Sequence, residues 1–205
     1  MPLPAAEWRA EVEFERRLVH AGGTLYPAPY LLGWLSWTET RYFLVVALAV
    51  VLALEFLRLV VGLNHPLYRK LTREYETDAL AGYALYQVSM TGAVLLLDPT
   101  LAIPAMWMLS VGDPVSGALG DNDATEAKRP AAWVAMFLVC VGLAVPFTVP
   151  AFGPDAGVVV AMAGAAPAAV ADGLPPIVRG VAVDDNLTIP PAAAVGMLLA
   201  LAVVG

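Results

Sequence analysis

The chain has few charged residues and only one cysteine. Charged residues make up 14% of its 205 residues, whereas a soluble domain carries about 25%. One cysteine, Cys140, excludes an internal disulfide and a cysteine-based zinc cluster. We expect Cys140 to be a small buried residue, because it lies in an apolar run. The two histidines are too few and too scattered for a histidine metal site.

What the chain has in abundance is apolar sequence. Apolar residues account for 60% of the chain and form long runs, which predicts one integral membrane domain, residues 1–205. The predicted fold class is all-α, a polytopic membrane helical bundle of about seven transmembrane helices. The predicted spans cover residues 21–37, 42–62, 79–97, 100–118, 131–150, 156–172 and 188–205. Residues 1–20 lack an apolar core, so they predict an amphipathic helix on the membrane surface rather than a signal peptide.

The basic residues predict the orientation of the bundle. With a cytoplasmic N-terminus, nine of the eleven basic residues fall in the segments 1–20, 63–78, 119–130 and 173–187, and only Arg41 lies on the opposite side. This positive-inside bias predicts a multi-pass protein of the cell membrane. The net charge of −7 argues against nucleic acid as a partner. An acidic chain with two lysines and nine arginines fits a high-salt cytoplasm.

Carboxylates at the edges of the apolar runs are the main functional signal. Asp113, Asp172 and the run Asp184-Asp185-Asn186 all fall at cytoplasmic ends of predicted spans. A charged residue at a helix centre costs about 2.5–3.5 kcal/mol on insertion scales, so such residues indicate a site. Carboxylate oxygens suit Mg²⁺, which is usually shared with substrate phosphates. Helix capping explains one residue of the 184–186 run, but not two adjacent carboxylates.

Two further patterns each allow a structural and a functional interpretation. Glu55 and Arg58 share one helix face, either as an ion pair that lets both tolerate the interior or with Arg58 bound to phosphate and Glu55 orienting it. Gly117 and Gly120 follow Asp113, and small residues there either let the backbone approach phosphate oxygens or pack helices together.

Basic residues and a histidine near the membrane surface are equally ambiguous. Lys128 is either a phosphate clamp or a positive-inside anchor. Arg17 and His20 enter the first predicted span, where they either anchor the chain at the membrane or contact a nucleotide.

These stretches, in this order, resemble the CTP-dependent polyprenol kinase family, which includes dolichol kinase and phytol kinase. The matching stretches are Glu13-Phe-Glu-Arg-Arg-Leu-Val-His20-Ala-Gly, Phe56 with Glu55 and Arg58, Gly112-Asp113-Pro-Val-Ser-Gly-Ala-Leu-Gly120 and Asp184-Asp-Asn-Leu-Thr-Ile-Pro190. The resemblance implies transfer of a phosphoryl group from CTP to the hydroxyl of an isoprenoid alcohol such as dolichol or another polyprenol, at the cytoplasmic face. The acidic composition suggests an archaeal, halophilic member.

The resemblance implies a role for each candidate residue. The predicted catalytic residues are Asp113, Asp184, Asp185 and Arg58, with Mg²⁺ held by Asp113 and Asp185. The predicted substrate-binding residues are Glu55, Arg17, His20, Gly117, Gly120, Lys128, Asp172 and Asn186. The family's Lys-Ser-x-Glu-Gly-like segment is represented here only by residues 120–130, in which Lys128 stands for the lysine.

Two other functions remain open from the sequence. One is a cytidylyltransferase that makes a CDP-activated lipid, although the Ser-rich C-terminal signature of that family is missing. The other is a non-catalytic membrane transporter or scaffold, in which the buried charges form a permeation or packing network.

Overall fold

Helices make up nearly all of the described chain. The computed structural model describes residues 20–72, 76–119, 127–174, 177–178 and 181–204. The helices are α1 Ala28–Leu31, α2 Trp37–Leu59, α3 Pro66–Leu71, α4 Gly82–Leu96, α5 Pro99–Trp107, α6 Asp113–Leu119, α7 Pro130–Phe152, α8 Pro154–Gly173 and α9 Asp185–Val204. Two short strands, β1 Ile177–Val178 and β2 Val181–Ala182, pair antiparallel between α8 and α9. The predicted surface helix lies outside the described residues except for His20.

Four of these helices are long and apolar enough to cross a membrane. They are α2, α7, α8 and α9, each of 20 or 23 residues, and a span needs about 20. They correspond to the predicted spans 42–62, 131–150, 156–172 and 188–205. The all-helical class is therefore confirmed, and four helices have the length and hydropathy expected of a membrane protein.

The other three predicted spans are not uninterrupted long helices. Segment 79–97 contains α4, whose 15 residues reach about 22 Å at about 1.5 Å per residue, short of a hydrocarbon core of about 30 Å. Segment 100–118 is helical throughout, but a π-helical turn, Met108–Gly112, separates α5 from α6. Segment 21–37 is divided into a 3₁₀ turn, Gly23–Leu25, and the single turn of α1.

The division of segment 21–37 follows from its turn residues. Pro27 precedes α1, and Gly33 then takes a φ of +71°, in the left-handed region that favours glycine. Ser36 opens α2 with a capping box, since its hydroxyl accepts from the Glu39 amide at 3.2 Å and the Glu39 carboxylate accepts from the Ser36 amide at 2.7 Å. The helix at Trp37 is therefore a new start and not a continuation.

The helices run antiparallel, so the bundle has two distinct ends. At one end the Trp37 indole donates to the Leu97 carbonyl at 3.3 Å and Arg41 donates to the Val94 carbonyl at 3.0 Å, which places the start of α2 beside the end of α4. At the other end α2 and α8 finish while α4, α7 and α9 begin. We call this second end the site end.

Close helix contacts make the frame of the bundle. Gly153, with a φ of +85°, turns the chain between α7 and α8. A Cβ at Gly157 would lie 2.5 Å from the Val149 Cα, and one at Gly196 would lie 2.0 Å from the Ala163 carbonyl oxygen. Glycine thus lets α8 pack backbone to backbone on both neighbours, as is common where helices associate in lipid. Cys140 is buried in the core, as expected.

Candidate functional site

Three carboxylates from three helices meet at the site end. Asp113 begins α6, Asp172 lies in the last turn of α8 and Asp185 begins α9. One oxygen of each lies within 4.8 Å of the other two. We call these three residues the carboxylate cluster. The expectation that acidic residues distant in sequence converge at one place is confirmed for these three.

Lys128 and Ser116 connect two members of the carboxylate cluster. The Lys128 ammonium donates to Asp172 Oδ1 at 2.7 Å and lies 3.4 Å from Asp113 Oδ1. The Ser116 hydroxyl donates to Asp172 Oδ2 at 2.5 Å. Desolvation would lower the pKa of Lys128, but the three carboxylates outweigh it and hold that pKa above its ordinary value. Lys128 is therefore a cation at neutral pH.

The loop before α7 is also fixed to the end of α8. The Lys128 amide donates to the Gly173 carbonyl at 3.0 Å. The Trp133 indole lies so close to Gly173 that a Cβ there would be 2.2 Å from the ring. These contacts place the Lys128 side chain next to Asp172, one residue before Gly173.

The π-helical turn positions Asp113. An i→i+5 turn contains one residue more than an α-turn, which rotates the following residues by about 100° around the helix axis. The last residue of this turn is Gly112, where a Cβ would lie 2.7 Å from the Met136 sulfur and 3.1 Å from the Cys140 sulfur. Glycine therefore lets the helix approach α7 closely just before Asp113.

His20 lies against the same turn. Its Nε2 is 3.0 Å from the Leu109 carbonyl, to which it donates, and 3.4 Å from Asp113 Oδ2. The Tyr86 hydroxyl donates to the His20 carbonyl at 2.9 Å, and the two rings are in edge contact. His20 thus borders the carboxylate cluster, and it is positioned by Tyr86, which the sequence did not single out.

The 184–186 run divides between two tasks. Asp184 caps α9, because its Oδ1 accepts from the Asn186 amide at 2.9 Å and from the Asn186 side chain at 2.6 Å. Asp185 lies in the carboxylate cluster. Asn186 is buried and its side-chain oxygen accepts no hydrogen bond from the described residues. Asp184 was predicted to be catalytic together with Asp185, but in the structure its carboxylate caps the helix.

Arg58 and Glu55 form a separate group at the same end. All five guanidinium donors are used: two donate to the Glu55 carboxylate at 2.7 and 2.9 Å, and the others donate to the carbonyls of Glu76, Thr77 and Ala79. Glu55 is only 2% exposed. These contacts favour the structural interpretation of the pair, since Arg58 has no donor left for phosphate in this arrangement.

Glu55 also connects α2 to the start of α4. Its carboxylate accepts from the Ala81 amide at 3.1 Å and from the Tyr83 hydroxyl. Glu76 accepts from the Gly82 amide at 3.1 Å, and a Cβ at Gly82 would lie 3.6 Å from Asp184 Oδ2. We call Glu55, Arg58, Glu76 and Tyr83 the arginine cluster. It lies beside the cap of α9 and so supports the element that carries Asp185.

The glycine-rich stretch differs from expectation where it is described. Gly117 lies inside α6, whose backbone amides donate within the helix rather than projecting into a loop. A Cβ at Gly117 would meet nothing within 4 Å, so packing does not require glycine there. Gly120 and Arg17 lie outside the described residues.

The carboxylate cluster fits a hard divalent cation. Its donors are all carboxylate oxygens, the ligands that Mg²⁺ and Ca²⁺ prefer. Ligand oxygens around Mg²⁺, each about 2.0–2.1 Å from the ion, lie about 3–4 Å from one another, so oxygens that are now up to 4.8 Å apart would approach by up to about 2 Å. Lys128 would remain beside the ion and face any bound anion.

Four contributors were missed by the sequence reasoning: Ser116, Glu76, Tyr83 and Tyr86. Ser116 was visible as the polar residue three positions after Asp113, on the same helix face. Glu76 and Tyr83 carried no signal, since their partners are set by tertiary structure. No protein-family model, curated protein or solved structure matches this chain.

Proposed function

We propose that this protein is a membrane-embedded, Mg²⁺-dependent phosphotransferase that moves the γ-phosphoryl group of CTP to the hydroxyl of an isoprenoid alcohol. One observation carries the proposal: Asp113, Asp172 and Asp185 come together with Lys128 at one end of a helical membrane bundle. The choice of CTP and of an isoprenoid acceptor rests on the resemblance of the motifs that contain Asp113 and Asp185.

The chemistry needs positioning and charge neutralisation more than covalent participation by the protein. The alcohol oxygen forms a bond to the γ-phosphorus, the bond from that phosphorus to the β-phosphate oxygen breaks, and the hydroxyl proton leaves to a carboxylate or to water. A bound Mg²⁺, held by Asp113 and Asp185 with Asp172, would offset charge on the nucleotide phosphates. CDP and the lipid phosphate are the products.

The chain's own residues have distinct parts in this scheme. Lys128 would donate to an oxygen of the transferring group, which it reaches by a small movement away from Asp113. Asp172 holds Lys128 and Ser116 in place, and its side chain is fully buried. Asp185 would orient the hydroxyl of the acceptor. His20 would keep Asp113 in its rotamer, because it lies against both Asp113 and the π-helical turn.

The membrane arrangement belongs to the same proposal. The site end would face the cytoplasm, where soluble CTP is available and where the basic residues concentrate. Segments 82–96 and 99–119 would cross the membrane among the four long helices. Residues 20–36 would cross beside them as short, interrupted helical turns. That arrangement gives the seven passes predicted from the sequence.

Labelled nucleotides test the proposed reaction. Purified protein in lipid nanodiscs would be given mixed isoprenoid alcohols with CTP labelled at either the α- or the γ-phosphate. We expect Mg²⁺-dependent label in the lipid from γ-labelled CTP alone. Label from α-labelled CTP would instead identify a cytidylyltransferase, and no transfer from CTP, ATP or GTP would refute the proposal.

The scaffold alternative has one observation in its favour. The arginine cluster is internally satisfied, as a packing network would be. A scaffold or transporter needs no nucleotide, so we expect it to show no Mg²⁺-dependent protection from proteolysis by CTP. Protection that requires both Mg²⁺ and CTP would exclude it.

A further inference from the structure

A groove beside the carboxylate cluster has a composition unlike the cluster itself. It has a volume of about 320 Å³ and is lined by Lys128, Pro130, Trp133 and Val134. This volume is at the lower end of the range for ligand sites, about 300–1,000 Å³. Of the lining residues that the structure describes, Pro130, Trp133 and Val134 are apolar, and Lys128 is the lysine that contacts Asp172.

The groove joins the carboxylate cluster to the outer surface of α7. Its inner side is Lys128, whose ammonium lies 2.7 Å from Asp172 Oδ1. Its wall is Trp133, whose ring packs on Gly173 directly after Asp172. Its outer side is Val134, 58% exposed on a helix long and apolar enough to span the membrane. Among the described residues, the groove therefore extends from Lys128, which contacts the carboxylate cluster, to an exposed apolar position on α7.

The lining selects a ligand that is apolar along its length and polar at one tip. Burial of an apolar chain against this lining is favourable, because it removes apolar surface from water. The Lys128 ammonium donates hydrogen bonds, so it suits a terminal hydroxyl oxygen and, after transfer, a phosphate. A cytosine base would need polar partners along its edge, whereas Pro130, Trp133 and Val134, among the lining residues that the structure describes, present mainly apolar surface.

We infer that this groove holds the hydroxyl-bearing end of the acceptor lipid, with the first apolar units against Trp133 and Val134 and the hydroxyl at the Lys128 ammonium. The inference rests on the proposed function for the identity of the acceptor. It adds the place where the lipid enters, and it assigns the direction of approach along α7.

A photoreactive isoprenoid alcohol tests the groove without turnover. The full chain in nanodiscs would be irradiated with a diazirine-bearing polyprenol analogue, and the labelled peptide would be mapped. Val134→Trp fills the groove, and Val134→Phe is a milder version in case the larger ring prevents folding. Leu138→Trp is the matched control, because Leu138 lies one turn further along α7, is 61% exposed and does not line the groove.

We expect label within residues 130–134, reduced about tenfold or more in Val134→Trp, a change equivalent to about 1.4 kcal/mol, and retained in Leu138→Trp. In transfer assays Val134→Trp should raise the KM for the alcohol and leave the KM for CTP unchanged. Label elsewhere, equal label in both tryptophan variants, or label from a photoreactive CTP at Val134 would overturn the inference.

The two proposals fail in different ways. Groove labelling that behaves as expected in a protein without any phosphoryl transfer would support the lipid site and refute the kinase. Transfer that is normal in both tryptophan variants, with an unchanged KM for the alcohol, would refute the lipid site and support the kinase.

Discussion

The carboxylate cluster and the arginine cluster lie at the same end of the bundle, yet they are built differently. In the arginine cluster Arg58 uses every donor on Glu55 and on backbone carbonyls. In the carboxylate cluster the Lys128 ammonium is shared between Asp113 and Asp172. An oxygen of Asp185 lies within 4.8 Å of oxygens of both aspartates. The first arrangement pairs one arginine with one carboxylate and three carbonyls, whereas the second brings three carboxylates together with one lysine. The excess of negative charge distinguishes the candidate cation site from the structural ion pair.

Arg58→Met should produce the largest change in stability. It leaves the Glu55 carboxylate buried without its cation, and breaking a buried pair costs about 3–5 kcal/mol. We expect a large loss of folded protein, measured by unfolding in detergent micelles, while the transfer rate per folded molecule stays within about twofold. Arg58→Lys should recover part of the stability, since lysine carries the charge but not the five-donor fork. A normal fold with lost transfer would instead assign Arg58 to the reaction.

Asp113→Asn should have the opposite profile. The amide keeps the size of the side chain but removes a charge from the carboxylate cluster, and loss of one electrostatic group of this kind costs about 10²–10³-fold in rate. We expect transfer from γ-labelled CTP to fall by about that factor while the amount of protein in membranes is unchanged. Asp155→Asn, at the other end of the bundle, is the control. Full activity in Asp113→Asn would remove the metal role.

Lys128→Gln should weaken nucleotide use while improving cation binding. A charge-assisted hydrogen bond contributes about 1.5–3 kcal/mol, so we expect the kcat/KM for CTP to fall about 10–100-fold. Divalent cations should bind more tightly without nucleotide, because the competing ammonium is gone. Weaker Mn²⁺ binding by the variant would show that Lys128 organises the cluster rather than competing with the ion.

The pH dependence of Lys128 follows from its raised pKa. An ordinary lysine titrates at about 10.5, and the folded value is higher. The stabilisation from its ion pairs is therefore complete below about 10.5 and is lost only as pH rises through the folded pKa. We expect no Lys128-dependent loss of folded protein between pH 7 and pH 10, measured as the difference in unfolding free energy between wild type and Lys128→Gln.

Two glycine substitutions should give the smallest changes. Gly112→Ala places a methyl 2.7 Å from the Met136 sulfur, and overpacking of this kind costs about 1–3 kcal/mol. Gly117→Ala meets nothing within 4 Å, and alanine in a helix is favoured over glycine by about 0.5–1 kcal/mol. We expect thermal unfolding to move down in the first variant and slightly up in the second. Equal shifts would mean that Gly112 is not closely packed.

Sequence reasoning reached the carboxylate cluster but not its division of labour. Asp113, Asp172 and Asp185 could be placed at one end because the loop arginines and lysines define a topology. Asp184 caps α9, whereas Asp185 belongs to the carboxylate cluster. The sequence alone does not show which of two adjacent aspartates has which role. Three of the five hydrogen-bond donors of Arg58 are taken up by backbone carbonyls within residues 76–79. The sequence does not predict these contacts, because they depend on how that loop folds against α2.

The fold was predictable in class and less so in its elements. Long apolar runs indicate α2, α7, α8 and α9, because length and hydropathy suffice for those helices. The π-helical turn before Asp113 has no compositional mark, since it follows from packing of Gly112 on Met136 and Cys140. The break at Gly33 and Ser36 follows from turn chemistry, a glycine at positive φ followed by a capping serine.

Manganese binding tests the central claim most directly. Wild type and Asp172→Asn in nanodiscs would be titrated with Mn²⁺, in place of Mg²⁺, with and without CTP, and bound ion would be counted by electron paramagnetic resonance. We expect one tightly bound Mn²⁺ per wild-type chain with CTP present, and loss of that ion in the variant with the fold retained. Identical Mn²⁺ binding by both proteins would contradict a shared ion in the carboxylate cluster.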